Sequence, residues 1–204
     1  LNGQMRGKRV PSRFADKVVE DGTRFPLSVL NLDIWGEDID DSPLVFESGD
    51  ADGVLKPTER GFMPMPWLEA PTALLPIWMF REDGRPYDGD PRHALRAVVD
   101  RYRKQGLTPV VAVELEFFLI DDSGRKLQVP LSPRSGKRRK AAETMSVRAL
   151  DQFDQFFTDL YDACEAMDIP ADTAISEAGL GQFEINLMHG DDALRAADDA
   201  WLFK

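Results

Sequence analysis

The sequence predicts a fold that mixes helix and sheet, α+β or α/β, on three observations. Residues 1–85 are rich in Pro, Gly and short β-prone runs, the texture of small strands joined by turns. From residue 86 apolar strands alternate with amphipathic helices. Of the 204 residues, 43 % are hydrophobic, enough to bury a sizeable core. Two domains are expected, 1–85 and 86–204.

In the first part the best strand candidates are "PLSVLNLDIW" (26–35) and "TALLPIWMF" (72–80), bounded by Pro and acidic turn residues. "ESGDADG", Glu47 to Gly53, reads as a solvated turn, because its acids lack the spacing and closing Glu of a calcium loop. "DGDPRHALRAVVDRYRKQG" then reads as a helix: Asp90 caps it, Pro91 takes the first position and Gly106 ends it. Leu95, Val98, Val99 and Tyr102 recur at helical spacing and predict one apolar face. "VVAVELEFFLI" (110–120) is the next strand. "SVRALDQFDQFFTDLYDACEAMDIP" is a second amphipathic helix, striped by Leu150, Phe153, Phe157, Leu160, Cys164 and Met167. "QFEINLM" is another strand, and "DDALRAADDAWLFK" opens a third helix capped by Asp191 or Asp192.

The net charge of −11 argues against a general nucleic-acid binder, which needs a basic surface. No run of 18 apolar residues is present to span a bilayer. The single cysteine, Cys164, permits no internal disulfide, reads as core, and leaves a cytoplasmic location expected. The start has no apolar signal region, and both ends read as cut, so a longer protein is expected. "SPRSGKRRK" (132–140), five of nine residues basic, is expected to be a mobile, solvated loop, with phosphate attraction or a subunit contact as the other reading.

The strand "VELEFFL" carries two acids. Residues i and i+2 of a strand share a face, so Glu114 and Glu116 point one way while Val113, Leu115 and Phe117 point the other. Two carboxylates about 5 Å apart repel by roughly 3 kcal/mol at an effective dielectric near 20. The pair must face water, share a proton or hold a cation. A second acidic motif, "ISEAGLGQFEINL", holds Glu177 and Glu184. Their odd separation would set them on opposite faces of one continuous strand, but a turn or bulge at Gly179 and Gly181 resets the register. Glu184 and Asn186 then share a face. An all-oxygen ligand set of this kind suits Mg²⁺ or Mn²⁺, ions that serve phosphoryl transfer.

"VELEFFL" followed by "SEAGLGQFEINL" resembles the glutamine synthetase family. "RGKRVP", "DGRPYDGDPRHALRAVV" and "HGDDALRAADDAWLFK" fit it too, in order. The resemblance implies an α+β fold: a small β-grasp-like N-terminal domain, then the start of a catalytic domain whose C-terminal part lies outside this chain. It implies that Glu116, Glu177 and Glu184 hold one divalent metal. Glu114 joins a second metal that contacts ATP phosphates. Asp172 and the backbone near His189 lie toward the nucleotide, although a lone histidine after a strand reads first as a surface or turn residue. The implied reaction activates glutamate as γ-glutamyl phosphate with ATP, then forms an amide. The implied assembly is a homo-oligomer, a dodecamer, with sites between neighbouring subunits.

In that family an Asp of the small domain reaches a neighbour's site and handles ammonium. Here it matches Asp33 in "LNLDIWG", where Trp35 and Gly36 replace serines. This departure resembles the branch that joins glutamate to organic amines such as polyamines. Ammonia remains the alternative acceptor, and a non-catalytic metal-binding form or an acidic interaction domain are the readings outside catalysis. With part of the sheet missing, Val111, Phe117 and Phe183 are expected to lie against water, giving poor solubility or an altered oligomer.

Overall fold

A computed structural model describes residues 4–204. These residues form two compact units. One takes the chain up to Met63 together with Ala73–Leu107; the other takes Pro64–Thr72 with Thr108–Lys204.

The first unit is built on a three-stranded antiparallel sheet, order β1 (Thr23–Pro26), β2 (Asp52–Pro57), β5 (Ile77–Phe80). Short helices α1 (Ala15–Asp21) and α2 (Pro43–Phe46) and two-residue strands β3 (Met63–Pro64) and β4 (Ala73–Leu74) complete the elements before α3 (Pro91–Arg103). Its core is Phe25, Leu27, Leu55, Met79 and Tyr87. Gly53 lies where the chain crosses this core: a Cβ there would meet Leu27 at 2.8 Å and Met79 at 3.0 Å.

The predicted strand over 26–35 is not one. β1 ends at Pro26, residues Leu27–Asn31 turn as a 3₁₀ helix, and Asp33–Gly36 form a turn. The polar side chains are drawn to other segments instead of facing water from a strand: Ser28 donates to Asp50 at 2.6 Å and Asn31 to Ser42 at 3.0 Å. The 72–80 run is split by Pro76 into β4 and β5. Asp90 caps α3 as predicted and does more. One carboxylate oxygen accepts from Arg92 N at 2.9 Å; the other accepts from Met79 N at 2.7 Å, tying helix to strand. Of the predicted α3 stripe only Val99 is buried, and Val98 and Tyr102 are exposed. The helix is held instead through its cap and through His93, which stacks on Trp78 and bonds Met79 O.

The second unit contains an antiparallel sheet, order β6 (Glu114–Phe118), β8 (Gln182–Leu187), β7 (Ala171–Ser176). Antiparallel pairing in both sheets decides for α+β over α/β. One face packs on helices α4 (Val147–Asp151) and α5 (Asp154–Ala166), with α6 (Ala193–Phe203) closing the chain. Phe183, expected against water, is 0 % exposed, edge-on to Phe153 and Phe157 and tilted against Phe117. The predicted helical stripe packs here, with Phe153, Phe157, Cys164 and Met167 all buried. Burial pushes the Cys164 thiol up to about 11, as a core cysteine requires.

The helix predicted over 146–170 is interrupted at Gln152–Phe153, where the Ser132 hydroxyl donates to Gln152 O at 3.2 Å and diverts that carbonyl. Ser146 caps α4 and Asp192 caps α6. The basic loop, expected to be mobile, is anchored. Ser132 is buried at its base, and Arg138 binds Val129 O and Asp121, the latter at 2.6 Å. Bonds from Ser123 and Arg138 hold the Asp121 carboxyl down at about 2.

Candidate metal centre

The site is one face of the β6–β8–β7 sheet. In the β6–β8 ladder Glu116 stands opposite Glu184 and Glu114 opposite Asn186. Directly opposed side chains share a face, with Cβ atoms about 4.5–5.5 Å apart. Leu115, Phe117, Phe183 and Ile185 therefore take the helix-covered face, and the acids and Asn186 take the other. The β7–β8 register carries the same face across the hairpin. Ile175 pairs with Glu184 and Ser176 with Phe183, and Glu177 N then donates to Gln182 O at 3.0 Å. Glu177 is thereby opposite Gln182, which alternates with Glu184 onto the acidic face. A hairpin reverses the parity of a single strand, so the odd separation of Glu177 and Glu184 is what brings them together. Gly181 makes the turn at φ 81°, a left-handed backbone that favours glycine.

The acids act on one another across this face. Glu184 is 7 % exposed. Burial first, then the charges of Glu114, Glu177 and Glu116, push its carboxyl above the ordinary range; a hydrogen bond from Asn186 partly offsets this. No Lys or Arg is among the groups acting on it. Two of the surrounding carboxylates are engaged by protein donors. Gln182 Nε2 donates to Glu116 at 2.5 Å while its Oε1 accepts from Gly179 N at 2.9 Å. Glu177 accepts from Ala178 N at 3.1 Å. As these side chains stand, no three acids, histidines or cysteines among the described residues are gathered closely enough to grip an ion. The donor set nonetheless fits a hard divalent cation: four carboxylates, one of them buried without a cationic partner.

The other sequence candidates lie elsewhere. Asp172 is exposed on β7, one residue out of phase with Thr173, whose hydroxyl meets Asn186 on the acidic face. Asp172 instead acts on Tyr161 of α5. His189 is exposed beyond β8, about 16 Å of strand from Glu184. It lines a shallow depression of about 260 Å³ with Asp168, Asp192 and Arg195. Asp33 belongs to the first unit, where its Oδ1 accepts from Trp35 N at 2.8 Å and Glu37 N at 2.9 Å. Those backbone bonds, led by Glu37, hold its carboxyl below the ordinary range. Trp35 is exposed on that turn. The sequence reading passed over Gln182, which locks the hairpin and Glu116 at once; its i, i+2 phase with Glu184 is the signal that marks it.

Residues 88–204 match the family described as glutamine synthetase, catalytic domain. The whole chain is similar to gamma-glutamylputrescine synthetase PuuA of Escherichia coli K12, 39 % identical and covering 44 % of that protein. It is also similar to glutamate–isopropylamine ligase of a Pseudomonas species, 27 % identical over the whole chain and 44 % of that protein. Among solved structures it superposes on one described as a novel glutamine synthase homolog, with TM-score 0.82 and 25 % identity, covering all of this chain and 44 % of that one. It also superposes on a GmaS/ADP complex, with TM-score 0.75 and 26 % identity, covering 97 % of this chain and 41 % of that one. The chain thus spans less than half the length of the relatives it matches. No helix among the described residues is long and apolar enough to cross a membrane.

Proposed function

Because this chain belongs to the glutamine synthetase family, we propose that it supplies the acidic face of an ATP-dependent ligase joining glutamate to an amine. The glutamate γ-carboxylate attacks the γ-phosphate of ATP, giving γ-glutamyl phosphate and ADP; the amine then displaces phosphate to leave the amide. The observation that carries this reading is Glu184, opposite Glu116 in the ladder, its carboxyl raised first by burial and then by three other carboxylates, with no Lys or Arg acting on it. Glu116, Glu177 and Glu184 would hold one Mg²⁺ or Mn²⁺ ion, and Glu114 would contribute to a second. Bound there, such ions neutralise charge as two anions approach. The protein's own part is placement. The helix-packed face of β8 fixes Glu184, the Gly181 turn sets Glu177 beside it, and Gln182 orients Glu116.

We assign Asp33 to the acceptor amine: two backbone bonds of its turn fix Oδ1. Asp172 and His189 are assigned toward the nucleotide, outside the metal set. The catalytic module is taken to begin near residue 86, since the family match starts at 88. The β-grasp-like reading of the first unit, a cytoplasmic location and a dodecameric homo-oligomer accompany the family assignment as proposals.

An organic amine is favoured over ammonia. The 39 %-identical relative is named for putrescine and another for isopropylamine, and Trp35 follows the Asp33 turn. The ammonia reading has its own support in relatives named glutamine synthetase, such as that of Pyrococcus horikoshii at 26 % identity. Glutamate-dependent phosphate release from ATP decides, using the full-length enzyme with putrescine, isopropylamine and ammonium. The highest kcat/KM is expected with putrescine. Preference for ammonium selects the second reading, and no release with any amine assigns the face to binding alone.

A further inference from the structure

We infer that Asn186 is an oxygen donor toward the divalent cation on the Glu114 side of the acidic face. The inference rests on the cation reading above and extends it to a residue that carries no charge. Asn186 lies opposite Glu114 in the β6–β8 ladder, and its side chain is on the acidic face. Its amide nitrogen donates to Thr173 Oγ1 at 3.1 Å, and the group lies near enough to Glu184 to lower that carboxyl. That use fixes the orientation of the group, since turning it over would set an oxygen against a carboxylate. The amide oxygen is left buried with no hydrogen-bond partner.

A buried carbonyl oxygen without a donor is costly, and Glu114, which stands opposite, is a carboxylate with no hydrogen to give. A cation on the acidic face would satisfy it, as a water would. Amide carbonyls are ordinary ligands of hard divalent ions. One side chain thus meets both requirements of the face. Its nitrogen steadies Glu184 and its oxygen completes the donor set beside Glu114.

The test is a Mn²⁺ titration of the protein without nucleotide, followed by electron paramagnetic resonance, for wild type, Asn186→Leu, Asn186→Asp and Glu184→Gln. Circular dichroism confirms the fold of each. Asn186→Leu is expected to weaken Mn²⁺ binding tenfold or more, the scale seen when supporting groups of metal sites are removed. Asn186→Asp keeps the oxygen and is expected to bind at least as tightly as wild type, while lowering the melting temperature of the metal-free protein. Equal weakening in both variants would mean that Asn186 only steadies Glu184, and unchanged binding in Asn186→Leu would remove it from the site; either overturns the inference. If wild type itself fails to bind Mn²⁺, the cation reading falls and the inference with it. If Glu184→Gln loses binding while Asn186→Leu does not, the reading stands and the inference alone fails.

Discussion

Glu184 titrates with a definite sign. Its carboxyl is raised above the ordinary value of 4.5 by burial and by three neighbouring carboxylates. A group raised on folding contributes its full stability below the unfolded value and loses it as pH rises through the folded one. The metal-free protein is therefore expected to melt at a falling temperature as pH climbs above 4.5, and Glu184→Gln is expected to flatten that fall and melt higher near neutrality. Melting curves across pH, taken in chelator, check this. Asp121 has the opposite sign. Held at about 2 by Ser123 and Arg138, it contributes stability above its ordinary 3.8 that disappears as pH falls through the folded value. Asp121→Asn should melt below wild type at pH 5, with the gap closing by about pH 2. The acids themselves were legible in the sequence, because period-2 alternation names Glu114 with Glu116 and Glu184 with Asn186. The bonds of Gln182 and Asn186 were not, because each depends on which residue lies across the strand.

At the scale of elements, the β7–β8 hairpin makes the site. Its turn spends a left-handed backbone at Gly181, where an added Cβ would also press on Leu119 O at 3.2 Å. Gly181→Ala is expected to destabilise by about 1–2 kcal/mol and to weaken Mn²⁺ binding by shifting Glu177, both read from urea midpoints and titration. The two glycines announced a reset of register, and a hairpin is the form it takes. The 26–35 segment shows the converse. Apolar content predicted a strand, but Ser28 and Asn31 bond to Asp50 and Ser42, distant along the chain, and propensity yields to those tertiary bonds. The caps of α3 and α6 read well in advance, since Asp90 and Asp192 act on neighbours within their own turn, whereas Ser146 was not foreseen as the cap of α4.

For the whole molecule, the aromatic face is covered and the β6 edge is not. Phe183 lies under α4 and α5, while Phe118 at the end of β6 and Val110 and Ile120 flanking the strand remain exposed, and β6 pairs on one side only among the described residues. Unpaired apolar strand edges recruit other chains. The 204-residue chain alone is expected to sediment as an oligomer or aggregate, and a monodisperse monomer would contradict this. The oligomer was expected from the sequence but on the wrong residues, Phe183 among them, because what covers a strand is decided by segments distant along the chain.

The acidic face as a divalent-cation site is the claim on which the catalytic reading depends. Mn²⁺ titration of wild type against Glu177→Gln tests it most directly, since Glu177 reaches the face only through the hairpin register. Saturable binding in wild type, weakened at least tenfold in Glu177→Gln, is the predicted result, on the usual scale for loss of a group from a metal site. Identical isotherms for the two proteins, or no binding by either, would contradict it.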